Sequence, residues 1–179
     1  MRIIGGSLKG RAILPTHLSA RPTTDFAKEG LFNILLNNYD LEQVKVLDLF
    51  GGSGSISFEF ASRGCPDITC VEMNPQHASF IKNTAKQLNL TTIRIIRHNV
   101  FDFIDICSQT YDIIFADPPY DLHGIEGLSK KIFDKHLLSP FGTFILEHSG
   151  SFDFTQTQGF CKTKRYGAVH FSFFSFDQR

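Results

Sequence analysis

Between residues 44 and 147 the chain alternates short apolar, β-rich runs with segments of helical spacing, and no other feature limits its possible folds so strongly. Residues 44–49, 68–72, 92–97, 113–116 and 143–147 read as strands. Residues 55–62, 75–88, 100–106 and 127–138 read as helices, the second opening on a proline that suits a first turn. Strands joined through helices cross over right-handedly, which predicts an α/β fold with a mostly parallel sheet and helices on both faces. Residues 161–165 and 168–176, split by Tyr166-Gly167, instead read as a closing hairpin. That hairpin brings the sheet to seven strands and supplies an antiparallel C-terminal strand. Its Val169, Phe171, Phe173 and Phe176 alternate only partly, as core residues of a strand covered on both faces do.

Ahead of this core, residues 1–15 predict short strands or a β-hairpin around Gly5-Gly6 and Gly10. Arg21-Pro22-Thr23-Thr24 leads stiffly into a helix that runs to about Asn38, with Thr23 or Thr24 as its cap. Phe26, Leu31, Ile34 and Leu35 mark its apolar positions, with Lys28 and Glu29 on another face. A chain of 179 residues is expected to form one domain, with 1–40 as an N-terminal extension and 41–179 as the core.

The 18 Lys and Arg balance the 18 Asp and Glu, so bulk charge does not mark a nucleic-acid binder. The distribution is uneven. From Met1 to Thr24 there are four cations (Arg2, Lys9, Arg11, Arg21) and no acid, whereas Asp48, Glu72, Asp102, Asp112 and Asp117 gather near strand ends. A basic arm beside a more acidic pocket follows. Cys65, Cys70, Cys107 and Cys161 lack metal-ligand spacing; the first three read as small buried hydrophobes, and no metal is expected. His98 and His148 lie at strand ends, where a loop histidine is usually solvated. With no long apolar run and no signal-peptide pattern, a soluble cytoplasmic protein is expected.

Two strand ends carry chemistry. Asp48-Leu49-Phe50-Gly51-Gly52-Ser53-Gly54-Ser55 hands the first strand to its helix, and its glycines let the backbone approach a ligand at the helix N-terminus. Glu72 ends the next strand, placed to accept hydrogen bonds from a ribose. A nucleotide-like cofactor fits both. A nicotinamide dinucleotide fits less well, because Ser57 takes the place of the third glycine of its fingerprint. The fourth strand ends in Asp117-Pro118-Pro119-Tyr120, where two prolines stiffen the corner and contribute no N–H. A carboxylate, proline carbonyls and an aromatic face describe a socket for a planar group with an amino donor. Taken alone, the same four residues also suit an ordinary strand-to-loop turn.

These motifs resemble those of class I S-adenosylmethionine-dependent methyltransferases, with Asp117 to Tyr120 similar to the D/N-P-P-Y/F/W motif of enzymes that methylate amino nitrogens. Met1 to Gly6, Lys9-Gly10-Arg11, Arg21 to Asp25 and Glu29 to Asn33 further resemble the RsmD family, whose members methylate the exocyclic amine of a guanine in small-subunit ribosomal RNA. Lys28 departs from the family's usual arginine, and Gly51 from its usual alanine.

The resemblance implies a Rossmann-like fold and S-adenosylmethionine as cofactor. Asp48, Phe50, Gly52, Gly54, Glu72, Asn99 and Asp117 would surround it, although an Asn at position 99 equally suits a helix cap. Asp117 and the Pro118 carbonyl would accept the amine hydrogens of the target base, and Tyr120 would stack on its ring. Arg2, Lys9, Arg11, Arg21 and Lys28 would hold phosphates of ribosomal RNA, within an assembling small subunit. An adenine amino-methyltransferase acting on DNA or another RNA, and a non-catalytic RNA-binding assembly factor, are the alternatives.

Overall fold

Thr24 opens the first helix: its Oγ1 accepts from the Ala27 N–H at 3.2 Å, and α1 (Asp25–Asn38) follows. The computed structural model describes residues 1–14, 23–119 and 122–176. The inward face of α1 is Ala27, Lys28, Leu31, Phe32 and Leu35, one step round from the face expected of the sequence. Phe26 is 66 % exposed, whereas Lys28 is 1 % exposed. Lys28 is tolerated inside because its ammonium donates to the Arg2 carbonyl at 2.5 Å and lies 3.7 Å from Asp25 and 3.9 Å from Glu59.

The expected alternation is present: β1 (Lys45–Leu49), α2 (Ser55–Ser62), β2 (Asp67–Val71), α3 (Pro75–Gln87), β3 (Ile93–Ile96), α4 (Val100–Ile106) and β4 (Tyr111–Ala116). A single 3₁₀ turn (Ile125–Gly127) leads into α5 (Leu128–Asp134), shorter than the spacing predicts. β5 (Leu138–His148) starts earlier than predicted, because Pro140-Phe141-Gly142 lies within it and does not turn out of it. A shift in β4–β5 register falls there, between Tyr111 and Ile113. A Cβ on Gly142 would sit 3.0 Å from the Tyr111 carbonyl, so only glycine passes comfortably. β6 (Phe160–Tyr166) and β7 (Val169–Phe174) close the chain as a hairpin.

The seven strands lie in the order β3-β2-β1-β4-β5-β7-β6. β7 runs antiparallel to both of its neighbours, which makes β6 parallel to β5. The carboxyl ends of β1, β2, β4, β5 and β6 therefore share one edge. One core packs α1, α2 and α3 against the sheet through residues such as Leu31, Phe58 and Ile81. The other packs α4 and α5 against the opposite face through Phe103, Ile132 and Phe144.

The N-terminal segment forms a minimal hairpin, with Arg2 bridged to Ala12. It docks on α2. The Ile4 N–H donates to Glu59 at 2.9 Å, the Leu8 N–H to Ser62 Oγ at 2.9 Å, and Ser62 Oγ to the Gly5 carbonyl at 2.6 Å. Gly6 permits this approach, since a Cβ there would fall 1.9 Å from the Ser62 carbonyl oxygen. Ile3 and Ile13 join the same core as α1. Among the described residues no helix is long and apolar enough to cross a membrane.

Candidate active site

β1 and β2 build the first half of the site. Asp48, 1 % exposed, accepts from the Ser57 N–H at 3.1 Å and from Ser57 Oγ at 2.5 Å, which fastens the start of α2 beneath the glycine turn. Burial pushes the Asp48 carboxyl up to about 7, against the two Ser57 hydrogen bonds. Phe50, Gly52 and Gly54 have φ of 62°, 56° and 77°, so the turn is left-handed at three points, and a Cβ on Gly54 would meet the Phe58 ring at 2.7 Å.

Glu72 closes the turn from β2. Its Oε2 accepts from the Gly52 N–H and its Oε1 from the Asn74 N–H, both at 2.7 Å. Each carboxylate oxygen keeps a second lone pair, so the group can also take a hydroxyl pair. Asn99 performs its capping role: Oδ1 accepts from the N–H groups of Phe101 at 2.8 Å and Asp102 at 3.3 Å. Its Nδ2 points to Met73 Sδ at 3.8 Å, and Met73 is 62 % exposed. Asn99 and Met73 thus edge the same rim as Glu72.

β4 and β5 build the acceptor half. Pairing of Ala116 with Leu146 sets Asp117 beside Glu147. Asp117 is half-buried and Pro118 buried, while Pro119 is exposed and its carbonyl accepts from the Leu122 N–H at 3.0 Å. Burial, then the charges of Glu147 and Asp48, push the Asp117 carboxyl well above the usual carboxylate range. Glu147, 3 % exposed, accepts from Thr23 Oγ1 at 2.8 Å. Burial drives its carboxyl up to about 7, opposed by that hydrogen bond. Sequence reasoning had Glu147 only as a strand end and Thr23 only as a possible cap. An acid ending the fifth strand, as acids end β2 and follow β4, was the available signal.

Tyr120 and Arg21 lie outside the described residues. Arg2, Lys9 and Arg11 are exposed on the N-terminal hairpin, with Arg2 paired to Asp25 at 3.1 Å. Lys28 corrects the expected set of phosphate contacts: buried and bonded inward, it presents no ammonium to a phosphate. His148 is also an inner residue, 2 % exposed and hydrogen-bonded to Ser172 Oγ at 2.8 Å. Cys65 and Cys70 are buried as expected, and Cys107 is only partly so. Among the described residues no group of His, Cys, Asp and Glu is arranged to hold a metal.

The profile of the family described as "Conserved hypothetical protein 95" matches residues 1–175. Ribosomal RNA small subunit methyltransferase D of Buchnera aphidicola subsp. Baizongia pistaciae is 34 % identical over 121 residues, which cover 67 % of this chain and 61 % of that protein. The chain belongs to the RsmD family. The YlbH protein of Bacillus subtilis is 31 % identical over 164 residues, covering 89 % of this chain and 88 % of its own length. Among solved structures, the yhhF protein of Escherichia coli superposes with a TM-score of 0.85 at 26 % identity, covering 100 % of this chain and 99 % of the other. The sheet order and the antiparallel β7 are those of the Rossmann-like class I methyltransferase fold.

Proposed function

We propose that this chain transfers a methyl group from S-adenosylmethionine to the exocyclic amine of a guanine in small-subunit ribosomal RNA, in the cytoplasm and within an assembling subunit. The observation that carries this reading is the convergence of three features on adjacent strand ends. The left-handed glycine turn follows β1, Glu72 follows β2, and Asp117-Pro118 follows β4, in the contiguous order β2-β1-β4. Open strand ends of this kind are where α/β sheets bind nucleotide-like ligands.

The residues fit the cofactor. Gly52 and Gly54 leave the backbone uncovered by any Cβ, Glu72 offers lone pairs for a diol, and Asn99 and Met73 edge the rim where a planar base would lie. When bound, S-adenosylmethionine supplies an electrophilic methyl group. An aromatic amine is a weak nucleophile, because its lone pair is delocalised into the ring. Asp117 and the Pro118 carbonyl accept its two hydrogens, which draws electron density onto nitrogen and fixes the direction of its lone pair. Catalysis of this kind comes from position and electrostatics. Asp117 or water then takes the proton released as the amine is alkylated.

The choice of guanine over adenine rests on the RsmD family; Glu147, 3 % exposed and engaged by Thr23, carries no part of it. Because the base must be reached, the target is unpaired or flipped out. The test is methyl transfer to unmodified ribosomal RNA and to small subunits from a strain lacking this protein, followed by nucleoside mass mapping. N2-methylguanosine at one position is expected. Methylation of adenine, or of no nucleoside, overturns the assignment.

A further inference from the structure

A groove of about 300 Å³ runs between α1 and the edge strand β6, lined by Phe26, Glu29, Asn33, Asn37 and Tyr166. Its upper end is aromatic. The Phe26 ring, 66 % exposed, stands edge-on to Tyr166 with centroids 5.7 Å apart at 78°. Tyr166 is itself fixed, leaning on Phe171 at 5.9 Å and filling the space above Gly30, where a Cβ would fall 2.0 Å from its ring. Phe26 thus presents a braced aromatic face to solvent. Keeping a large apolar ring at such a position forgoes the stabilisation that burial gives.

The strand beside it is cationic. Lys162, Lys164 and Tyr166 alternate onto the α1 side of the sheet, opposite Phe173, Phe171 and Val169. The Lys162 ammonium lies over the Phe173 ring at 5.5 Å, in agreement with that orientation. Residues 154–176 contain three Lys and Arg and no acid. Because β6 is parallel to β5, its Tyr166 end lies at the edge that carries Glu147 and Asp117. The Thr23–Glu147 hydrogen bond ties the start of α1 to the same edge. Glu29 is the acid in that lining; the exposed ring and the amide groups beside it, with Lys162 and Lys164 further along β6, complement a polyanion with bases to stack.

We infer that this groove holds a single-stranded segment of the RNA flanking the target base, with one base stacked on Phe26 and phosphates on Lys162 and Lys164. The inference rests on the ribosomal RNA reading above, and adds a surface separate from the N-terminal cations.

The test uses the full chain and an unmodified transcript of small-subunit ribosomal RNA. Affinity is measured by filter binding across a salt series, KM and kcat by methyl transfer, and S-adenosylmethionine affinity by calorimetry. Phe26→Ala is expected to weaken RNA binding roughly tenfold or more, as loss of one stacking platform does. Phe26→Tyr, which keeps a stacking face, is expected to restore it. Lys162→Glu with Lys164→Glu is expected to raise KM and to lower the salt slope by about 1.4, the share of two phosphate contacts on a single strand. Cofactor affinity stays unchanged in all three variants. If the parent methylates RNA and these variants bind and turn over as it does, the groove assignment alone falls. If the variants lose RNA binding while the parent binds but methylates nothing, the groove stands and the proposed activity falls. A parent that does not bind RNA overturns both. Loss confined to assembled subunits, with binding to naked transcript intact, gives the groove to a ribosomal protein and overturns the RNA assignment.

Discussion

Lys28 and Glu59 face each other at 3.9 Å with neither side chain open to solvent. Glu59 is the hub of the pair: it also accepts from the Ile4 N–H at 2.9 Å and from Arg63 at 2.9 and 3.0 Å. Its removal would leave the buried Lys28 ammonium, which keeps the Arg2 carbonyl as acceptor, without its buried counter-charge, and the part-buried Ile4 N–H without its acceptor. Glu59→Ala is therefore expected to cost about 3–5 kcal/mol, the range for breaking one side of a buried charge pair. Lys28→Met is expected to cost less, because Glu59 keeps Arg63. Urea denaturation at neutral pH measures both, and equal losses would show that Arg63 does not share the charge. The Glu59 variant should also raise the KM for RNA, since the hairpin bearing Arg2, Lys9 and Arg11 is docked through this residue.

Glu147 gives a prediction in pH. Its carboxyl is raised from an ordinary 4.5 to about 7 by burial, and that of Asp48 from 3.8 to about 7 by the same cause. Between these limits the folded protein holds protons that the unfolded chain has released, so stability falls as pH rises through the window. Glu147→Gln keeps an acceptor for Thr23 and removes one titration, so it should flatten this decline. Urea midpoints near pH 5 and pH 8 read the difference. In turnover, kcat/KM should rise with pH as Asp117 ionises, and the Gln variant should shift that rise to lower pH because a neighbouring charge is gone. An unshifted profile would uncouple the two groups.

The alternating pattern made the parallel sheet, both helical layers and the closing hairpin legible, because each strand is a short apolar run bounded by turn residues. The placing of Asp48, the glycine turn, Glu72 and Asp117 at the strands' carboxyl ends was legible for a related reason: where a strand ends follows from the same pattern. Lys28 was not. Its place inside depends on acceptors from Arg2 and Glu59, which only tertiary packing brings to it. The role of Glu147 likewise required β5 to lie beside β4 and Thr23 to fold back over both. Gly51 shows the converse. A Cβ there would fall 2.4 Å from Cys70 Sγ, so the family's usual alanine would need the residue packed against it on β2 to give way.

Removal of the Glu72 carboxylate should act on the cofactor in two ways. Glu72→Ala deletes the proposed acceptor for the ribose and also frees the Gly52 N–H that it holds at 2.7 Å. Cofactor affinity measured by calorimetry is expected to fall at least about tenfold, the effect of losing one or two hydrogen bonds to a charged group. Glu72→Gln retains one acceptor oxygen and should fall between the parent and the alanine variant. Unchanged affinity in both would remove Glu72 from the cofactor site.

Asp117 is where activity and stability should part. The carboxylate sits half-buried beside Glu147 and within the field of Asp48, and its carboxyl is raised by burial first and by those charges second. A folded-state shift in that direction means that the ionised form weakens the fold above the ordinary carboxylate range. Asp117→Ala is therefore expected to unfold at higher urea than the parent near pH 8, with the gain vanishing below about pH 3, where the carboxyl is protonated in both states. The same variant loses the proposed acceptor for the amine and should turn over on the order of a hundredfold more slowly, comparable to removal of one preorganised hydrogen-bonding partner. S-adenosylmethionine affinity, measured in parallel, should change little, because the glycine turn and Glu72 remain. A variant that is both slower and less stable near pH 8 would mean that Asp117 holds the corner together, and that its charge is not held at the expense of the fold.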